Sequence, residues 1–264
     1  DGFTVGDDVV VNTNTENYVS WNWLGDGVAG GTLNEDGSID SQVNVNTTAG
    51  FSIFTYGGND TAGATVGHGL SQAPDYVIIK AMDINKRWVV GATADSVMDF
   101  SNSDYINLDQ GYAMTQWTPY WNDTNPSATV VTLGDSGNIN GTGYTMVGYA
   151  FHSVEGYSSV GSYTGNDSTD GPFLYTGFRP AFILSRSTSA GSWNIYDSKR
   201  NPYNVVDLRL KPNSTAGDST PYTSFDFISN GIKLKTDHID FNSSSQSYFY
   251  IAFAESPFKY SNAR

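Results

Sequence analysis

Aromatic rings crowded into one short segment are the residues of this chain best suited to binding chemistry. Residues 116–123, with the sequence QWTPYWND, carry three rings that follow neither the period of a strand nor that of a helix. Sugar sites use such rings for the CH faces of a sugar and nearby polar groups for its hydroxyls. We therefore expect an exposed platform, formed by Trp117, Tyr120, Trp121 and Asn122, that binds a glycan or a partner. The alternative is that these rings cover the edge of a sandwich or pack on a neighbouring subunit.

No signature of catalysis accompanies this segment. The chain has no cysteine, and His68, His152 and His238 are too far apart in sequence to form a ligand motif. It has no nucleophile elbow, phosphate-binding loop or zinc-protease motif. Aspartate is so frequent that no particular pair of carboxylates can be nominated for glycoside hydrolysis. We expect a protein that is not an enzyme.

Two acidic loops match a calcium-binding pattern only in part. Residues 34–40 and 167–171 place oxygen-bearing side chains around a glycine turn, but neither has the full spacing of a calcium loop. Turn formation accounts for the same residues without any ion. No cofactor is therefore expected, and bound calcium is the alternative.

The charge balance excludes two classes of partner. The chain has 27 acidic and 13 basic residues, a formal net charge of -14. Nucleic acids and anionic membrane surfaces are bound through clustered Lys and Arg, so neither is expected as a partner. No apolar run is long enough to insert into a membrane. The absence of cysteine fits a bacterial or viral product better than a disulfide-stabilised secreted domain.

An internal repeat organises the chain. Four separate segments recur at a nearly constant offset of about 105 residues, which chance matches would not maintain. The matching pairs are 50–60 with 156–167, 73–80 with 179–186, Trp88 with Trp193, and 144–151 with 248–255. We infer a duplicated unit. We also expect Ile78 with Ile183 or Leu184, and Val147 with Ile251, to join the two tryptophans in equivalent cores.

A third, partial copy opens the chain. Residues 2–23 align with residues 231–253, which are the last two strands of the unit, without the strands that precede them. This alignment predicts an N-terminal hairpin. A lone hairpin is marginal in water, so it must pair with a downstream sheet, another subunit or further chain. Tyr18, Trp21 and Trp23 are the expected assembly contacts.

The fold class follows from short apolar or alternating runs separated by Asp-Gly, Asn-Gly and Gly-Gly turns. We predict an all-β protein with two tandem antiparallel β-sandwich modules, jelly-roll-like in type, and no helix of ten residues. The predicted units are the partial repeat (1–25), a Gly-rich bridge (26–49), module 1 (50–152) and module 2 (153–264). Residues 94–129 are expected to form an irregular insertion in module 1.

These segments resemble a β-rich module of tail-fibre-like and other virion proteins of tailed phages, especially marine ones. The phrases that carry the resemblance include TVGHGL at 65–70, GSYTGN at 161–166, TGFRP at 176–180, DFISNG at 226–231 and the closing IAFAESPF at 251–258. In that family the module often follows a concanavalin-A-like lectin domain. The resemblance implies an adhesive or structural role and supplies no catalytic residue.

We therefore expect a tail fibre, spike or decoration protein at a virion surface or in the extracellular space. Its expected partners are other virion proteins, further copies of itself in a trimer, and a host cell-surface glycan. A self-assembling filament or shell subunit is the first alternative. A polysaccharide-degrading enzyme is the second. A closed trimer favours a fibre, and an open head-to-tail contact favours a filament.

Overall fold

Antiparallel strands joined by turns make up the computed structural model, which describes residues 3–220 and 224–257. Its three α-helices are single turns of four residues, so the prediction of an all-β chain without a long helix is confirmed. Residues 1–2, 221–223 and 258–264, parts of the predicted units 1–25 and 153–264, lie outside the described residues. No helix in the described ranges is long and apolar enough to cross a membrane.

The strands of the first half are β1 Thr32–Asn34, β2 Ser41–Asn46, β3 Phe51–Gly57, β4 Ala64–Gly67, β5 Tyr76–Ala81, β6 Val89–Ala92, β7 Asp104–Asn107, β8 Thr115–Gln116, β9 Val130–Leu133 and β10 Thr145–Phe151. Those of the second half are β11 Ser158–Thr164, β12 Phe173–Tyr175, β13 Pro180–Ser187, β14 Asn194–Asp197, β15 Phe225–Ile228, β16 Gly231–Leu234 and β17 Ser247–Ala254. The helical turns are α1 Val9–Asn12, α2 Thr118–Trp121 and α3 Ile239–Asn242.

Each half forms a two-layer sandwich. In the first, the sheet β1-β2-β3-β10-β5-β6-β7-β8 is covered on one face by the pair β4-β9. In the second, the sheet β11-β17-β13-β14 is covered by the sheet β12-β16-β15. The central strands have the same order in both halves, β3-β10-β5-β6 and β11-β17-β13-β14, as a duplication predicts. The common origin of the two halves stays an inference.

The two sandwiches stack through the uncovered faces of their larger sheets. Phe51, Tyr76 and Phe151 of the first half and Phe182 and Phe253 of the second belong to one buried apolar cluster. The molecule therefore has four sheet layers in sequence.

β17 illustrates why both faces of the central strands are apolar. Phe249, Ile251 and Phe253 face the cluster between the sandwiches, while Tyr250 and Ala252 face the core of the second sandwich. Residues 248–253 are all buried, so this strand is packed on both faces.

Polar links fix the sandwiches at one end of this interface. The buried Arg186 of β13 donates from its guanidinium to the carbonyl of Tyr112, at 2.7 Å. The Trp193 indole donates to the Asn107 carbonyl at 2.8 Å. Burial lowers the pKa of Arg186 to about 10. Apolar packing and these bonds together hold the two larger sheets in one relative position.

The predicted bridge is part of the first sheet. Within residues 26–49, β1 pairs with β2, and β2 pairs along its length with β3. The predicted boundary between the Gly-rich bridge (26–49) and module 1 (50–152) is therefore wrong, because β1 and β2 form the edge of the module 1 sheet. Likewise β7 and β8, inside the predicted insertion 94–129, extend the opposite edge of the same sheet.

The predicted N-terminal hairpin is also wrong over its described residues. Residues 3–23 contain no strand: α1 is a helical turn, and the chain after it runs without a ladder partner. The strands that would flank this hairpin in a complete unit have no counterpart here, and a strand without a partner forms no ladder. Trp21 and Trp23 pack instead against the cluster between the sandwiches.

The predicted placement of the paired positions in equivalent module cores is mostly wrong: Trp193, Leu184 and Ile251 lie in the cluster between the sandwiches, whereas Ile183 lies in the core of the second sandwich. Trp193, Ile183, Leu184, Val147 and Ile251 are buried. Their partners in the first half, Trp88 and Ile78, are only half-buried. Both of these side chains line a cleft that remains open between the two sandwiches.

Candidate ligand cleft between the sandwiches

The predicted aromatic platform is buried for two of its three rings. Tyr120 is 3% and Trp121 0% exposed, whereas Trp117 is 46% exposed. Pro119 stands in the first turn of α2, and Asn122 ends this turn in the left-handed region with φ 50°. The helical turn directs Trp121 into the core, where its indole donates to the Asp104 carbonyl at 3.1 Å. The prediction of exposure is therefore wrong for Tyr120 and Trp121, and Asn122 is half-buried.

Glycine in β6 makes room for the buried tryptophan. A Cβ atom on Gly91 would lie 2.4 Å from the Phe100 ring and 2.7 Å from the Trp121 ring. Phe100 and Trp121 meet edge to face, with their centroids 5.0 Å apart. This segment seals one side of the first sandwich and does not form an open sugar platform.

A cleft suited to a ligand lies elsewhere, between the two sandwiches. It is a cleft of about 620 Å³, with walls from β3, β5 and β10 on one side and from β13 and β17 on the other. Residues 21–25 cross beside it. The stacked sheets are in contact through Phe51, Phe151 and Phe253. Beside these rings the two sheets are separated, and the cleft occupies the gap between them.

A row of side chains across three strands forms the floor of the cleft. The register places Tyr149 of β10 opposite Ile53 of β3 on one side and opposite Ile78 of β5 on the other. All three side chains point to the same face because directly opposed residues in a sheet share a face. The Trp88 ring lies nearly parallel to Tyr149, at an angle of 17° and a centroid distance of 6.4 Å. The floor of the cleft therefore contains two roughly parallel aromatic rings, Trp88 and Tyr149, next to the apolar side chains of Ile53 and Ile78.

Trp23 forms one end of the cleft. Its ring meets Phe151, Phe182 and Phe253 in edge-to-face contacts, with centroids 5.8, 5.9 and 5.1 Å away. These rings come from both sandwiches, so Trp23 joins the two halves as well as lining the cleft. Trp21 packs edge to face on Phe182 at 5.5 Å.

Two polar atoms of cleft-lining residues are buried without a hydrogen-bond partner. They are the Tyr76 hydroxyl and the Trp21 indole nitrogen, for which the described residues provide none. Burial raises the pKa of Tyr76 well above its usual value, so the phenol stays neutral and can both donate and accept. Leaving such a group unpaired costs about 1–3 kcal/mol.

His68 and His238 form hydrogen bonds that stabilise the local backbone. Nδ1 of the buried His68 accepts from the Leu70 amide, and its Nε2 lies 3.2 Å from the Ser127 carbonyl. Burial lowers the pKa of His68. His238 caps α3 by accepting from the Asp240 amide.

The acidic loops also engage in local bonds. Asp170 forms an ion pair with Lys233 at 2.6 Å, which lowers the pKa of this carboxyl. Asn34 donates to the Asp36 carboxylate at 2.9 Å. No group of three or more His, Asp or Glu side chains in the described ranges is placed to hold a metal ion. The expectation of no cofactor stays a prediction, with bound calcium as its alternative.

The three residues predicted as assembly contacts divide into two kinds. Trp21 and Trp23 are half-buried within the chain itself. Tyr18 is exposed over half of its surface, although its hydroxyl accepts from the Thr13 amide at 2.8 Å. Tyr18 is therefore the most exposed of the three predicted contact residues.

The chain belongs to the DUF7483 family, described as a domain of unknown function, which matches residues 1–257. No curated protein and no solved structure matches the chain.

Sequence reasoning missed the cleft although it singled out several of its residues. The repeat pairs Trp88 with Trp193, and Ile78 with Ile183 or Leu184, which predicts equal burial in both halves. The structure shows unequal burial in the two halves: Trp88 and Ile78 are half-buried, while Trp193 and Leu184 are buried. That difference depends on how the sandwiches stack, which the repeat pattern does not specify.

Proposed function

We propose that this protein is a structural and adhesive module of a virion, such as a tail fibre, spike or decoration protein, that binds a host-surface glycan in the cleft between its sandwiches. The observation that supports this proposal is the parallel Trp88–Tyr149 pair in a cleft that Tyr76 and Trp21 also line. The resemblance to phage virion modules supports the location and the adhesive role.

The chemistry of the cleft suits a neutral sugar. Aromatic faces take the apolar CH faces of a pyranose ring, and buried donors take its hydroxyls. A volume of about 620 Å³ lies within the range of roughly 300–1,000 Å³ typical of small-molecule sites. The net charge of -14 repels acidic glycans at long range, so neutral glycans are the expected class.

Calorimetric titration with a panel of neutral and acidic oligosaccharides tests this proposal. We expect binding of neutral members, and Trp88→Ala should weaken it by about 30-fold, since a ring that anchors a ligand is worth about 2 kcal/mol. Tyr76→Phe removes one hydrogen bond and should weaken binding by a smaller factor without destabilising the protein. Trp117→Ala is the matched control, because this exposed ring lies outside the cleft.

The outcomes separate the two candidate surfaces. Loss of binding in Trp117→Ala with full binding in Trp88→Ala would overturn the cleft in favour of the segment 116–123. Absence of binding to every oligosaccharide in the panel would overturn glycan adhesion itself. The same titration mixtures, analysed for new reducing ends, test the expectation that the protein is not a polysaccharide-degrading enzyme.

A filament or shell subunit is the second candidate, because an exposed apolar turn precedes the cleft segment. Val9, Val10 and Val11 of α1 are all exposed. Light scattering distinguishes the forms: a closed trimer supports a fibre, and growth with concentration into open polymers supports a filament.

A further inference from the structure

One local motif occurs three times in the described chain, and we call it the asparagine clamp: residues 6–18, 134–146 and 236–248. In each copy an asparagine amide donates to the carbonyl four residues earlier, and its side-chain nitrogen donates to the carbonyl six residues earlier. The asparagines are Asn12, Asn140 and Asn242, and the side-chain acceptors are Gly6, Gly134 and Thr236, at 2.6, 2.8 and 2.8 Å. Three residues further on, each copy has a left-handed backbone, at Thr15, Gly143 and Ser245.

The second clamp holds a loop of the first sandwich. Asn140 is fully buried, and its side-chain oxygen accepts from the Asn59 amide at 3.0 Å. Its carbonyl accepts from the Asp60 amide at 2.7 Å, and its side-chain nitrogen donates to the Thr61 carbonyl at 3.1 Å. Gly58 approaches so closely that a Cβ atom there would lie 2.4 Å from the Gly141 carbonyl oxygen.

The third clamp holds the equivalent loop of the second sandwich in the same way. The Asn242 side chain accepts from the Asn166 amide at 2.8 Å and donates to the Ser168 carbonyl at 2.7 Å. Its carbonyl accepts from the Asp167 amide at 2.7 Å. A Cβ atom on Gly165 would lie 2.2 Å from the Ser243 carbonyl oxygen. Both filled clamps therefore bind a Gly-Asn-Asp-Thr/Ser loop that follows a strand.

The first clamp has the same shape without such a loop. The Tyr18 hydroxyl accepts from the Thr13 amide and donates to the Val9 carbonyl, as the Tyr248 hydroxyl does with Ser243 and Ile239. The N-terminal turn is thus already formed.

The clamp at residues 6–18 differs from the two clamps that hold a loop in the burial of its side chains. Asn12 is exposed, and Val11 is exposed where its equivalents Ile139 and Phe241 are fully buried. Both loops of this type in the described chain are bound by their own clamps.

We propose that residues 6–18 are a docking site for a strand followed by a Gly-Asn-Asp-Thr/Ser loop, supplied by another repeat of this family. The bonds of Asn140 and Asn242 define what this partner segment must offer: two consecutive amides for the Asn12 side-chain and main-chain oxygens, and a carbonyl for its side-chain nitrogen. An apolar strand residue would cover Val11. Docking of this kind joins repeats end to end and is independent of glycan binding in the cleft.

A tethered segment tests the proposal. Residues 156–170, which contain the loop that Asn242 binds, are fused ahead of Asp1 through a flexible Gly/Ser linker, so that the effective concentration is in the millimolar range. We expect the melting temperature to rise by about 2–4 °C or more relative to a fusion with the same residues in scrambled order. Asn12→Ala should abolish this rise, and so should replacing the loop asparagine of the fused segment with alanine.

A second measurement decides the matter if the fusion does not fold. The free peptide of residues 156–170 is titrated at millimolar concentration into the labelled full chain, and the side-chain amide resonance of Asn12 is expected to shift. A melting temperature equal to that of the scrambled fusion would overturn the proposal, as would a rise that survives Asn12→Ala or an unmoved Asn12 resonance. Self-association of the unfused chain that Asn12→Ala removes would overturn the choice of partner in favour of a second copy of this chain.

Discussion

Replacement of Asn242 by alanine should destabilise the protein strongly, although the residue is small and polar. Its side chain accepts from the Asn166 amide and donates toward the carbonyls of Ser168 and Thr236, all within a fully buried site. Alanine leaves one buried N–H without an acceptor and two carbonyls without this donor. The loop 165–168 and the turn that begins at α3 would lose their main polar connection.

The magnitude follows from these three bonds. An unsatisfied buried amide costs about 1–3 kcal/mol, and each lost hydrogen bond about 0.5–1.5 kcal/mol. The free energy of unfolding should therefore fall by about 2–6 kcal/mol. For a chain of this size that corresponds to a melting temperature lower by at least about 4 °C.

The chain offers its own controls for this experiment. Asn140→Ala breaks the equivalent bonds in the first sandwich and should cost a similar amount. Asn12→Ala removes a single bond from an exposed side chain, so the free energy of unfolding should change by less than about 0.5 kcal/mol. Urea unfolding of the three variants measures the series. Equal losses at Asn12 and Asn242, or a loss below about 0.5 kcal/mol at Asn242, would refute the reasoning.

Three further predictions concern other parts of the chain. Trp121→Ala should cost about 3–5 kcal/mol in urea unfolding because its ring is fully buried, while Trp117→Ala should cost less than about 1 kcal/mol; similar costs would contradict the burial of this segment. Trp23→Ala should lower the free energy of unfolding by about 2–3 kcal/mol, since its half-buried ring joins the two sandwiches; an unchanged melting curve would show that it does not. The lowered pKa of His68 means that the folded chain binds fewer protons than the unfolded chain, so stability should fall as the pH drops below about 6.5. His68→Asn, which can still accept from the Leu70 amide, should reduce this fall, measured as melting temperatures at pH 7.5 and 5; an unchanged pH dependence would exclude His68 as its source.

The sequence predicted those features that local pattern determines. Two-sided apolar character in residues 248–253 is typical of a strand buried on both faces, as β17 is. The repeat match of residues 73–80 with 179–186 falls on β5 and β13, which occupy equivalent places in the two halves. These predictions succeeded because side-chain alternation and turn residues act within one strand and its immediate neighbours.

Features that depend on long-range packing could not be predicted in this way. The apolar faces of Phe51 and Phe253 are compatible with packing inside a single module or against another module, so the stacking of the sandwiches and the cleft were not apparent. Trp121 illustrates the same limit: its burial requires a glycine at position 91 on a distant strand.

The N-terminal segment shows which features local sequence determines and which require tertiary contacts. Its resemblance to residues 231–253 correctly indicated a related conformation around Asn12 and Tyr18, down to the hydroxyl bonds of the tyrosine. It wrongly indicated a hairpin, because a β-ladder needs a partner strand that the rest of the described chain does not place there. A turn is encoded within about ten residues, whereas a strand depends on its neighbours.

Methyl NMR of the isoleucine side chains, recorded with and without a neutral oligosaccharide that binds, tests the central claim most directly. Ile53, Ile78 and Ile251 line the cleft, whereas Ile139 and Ile232 lie in the separate cores of the two sandwiches. Binding in the cleft predicts shifts of the first three methyl resonances and unchanged positions for the other two. Shifts that spare Ile53, Ile78 and Ile251 while the sugar is bound would contradict the assignment of the cleft as the glycan site.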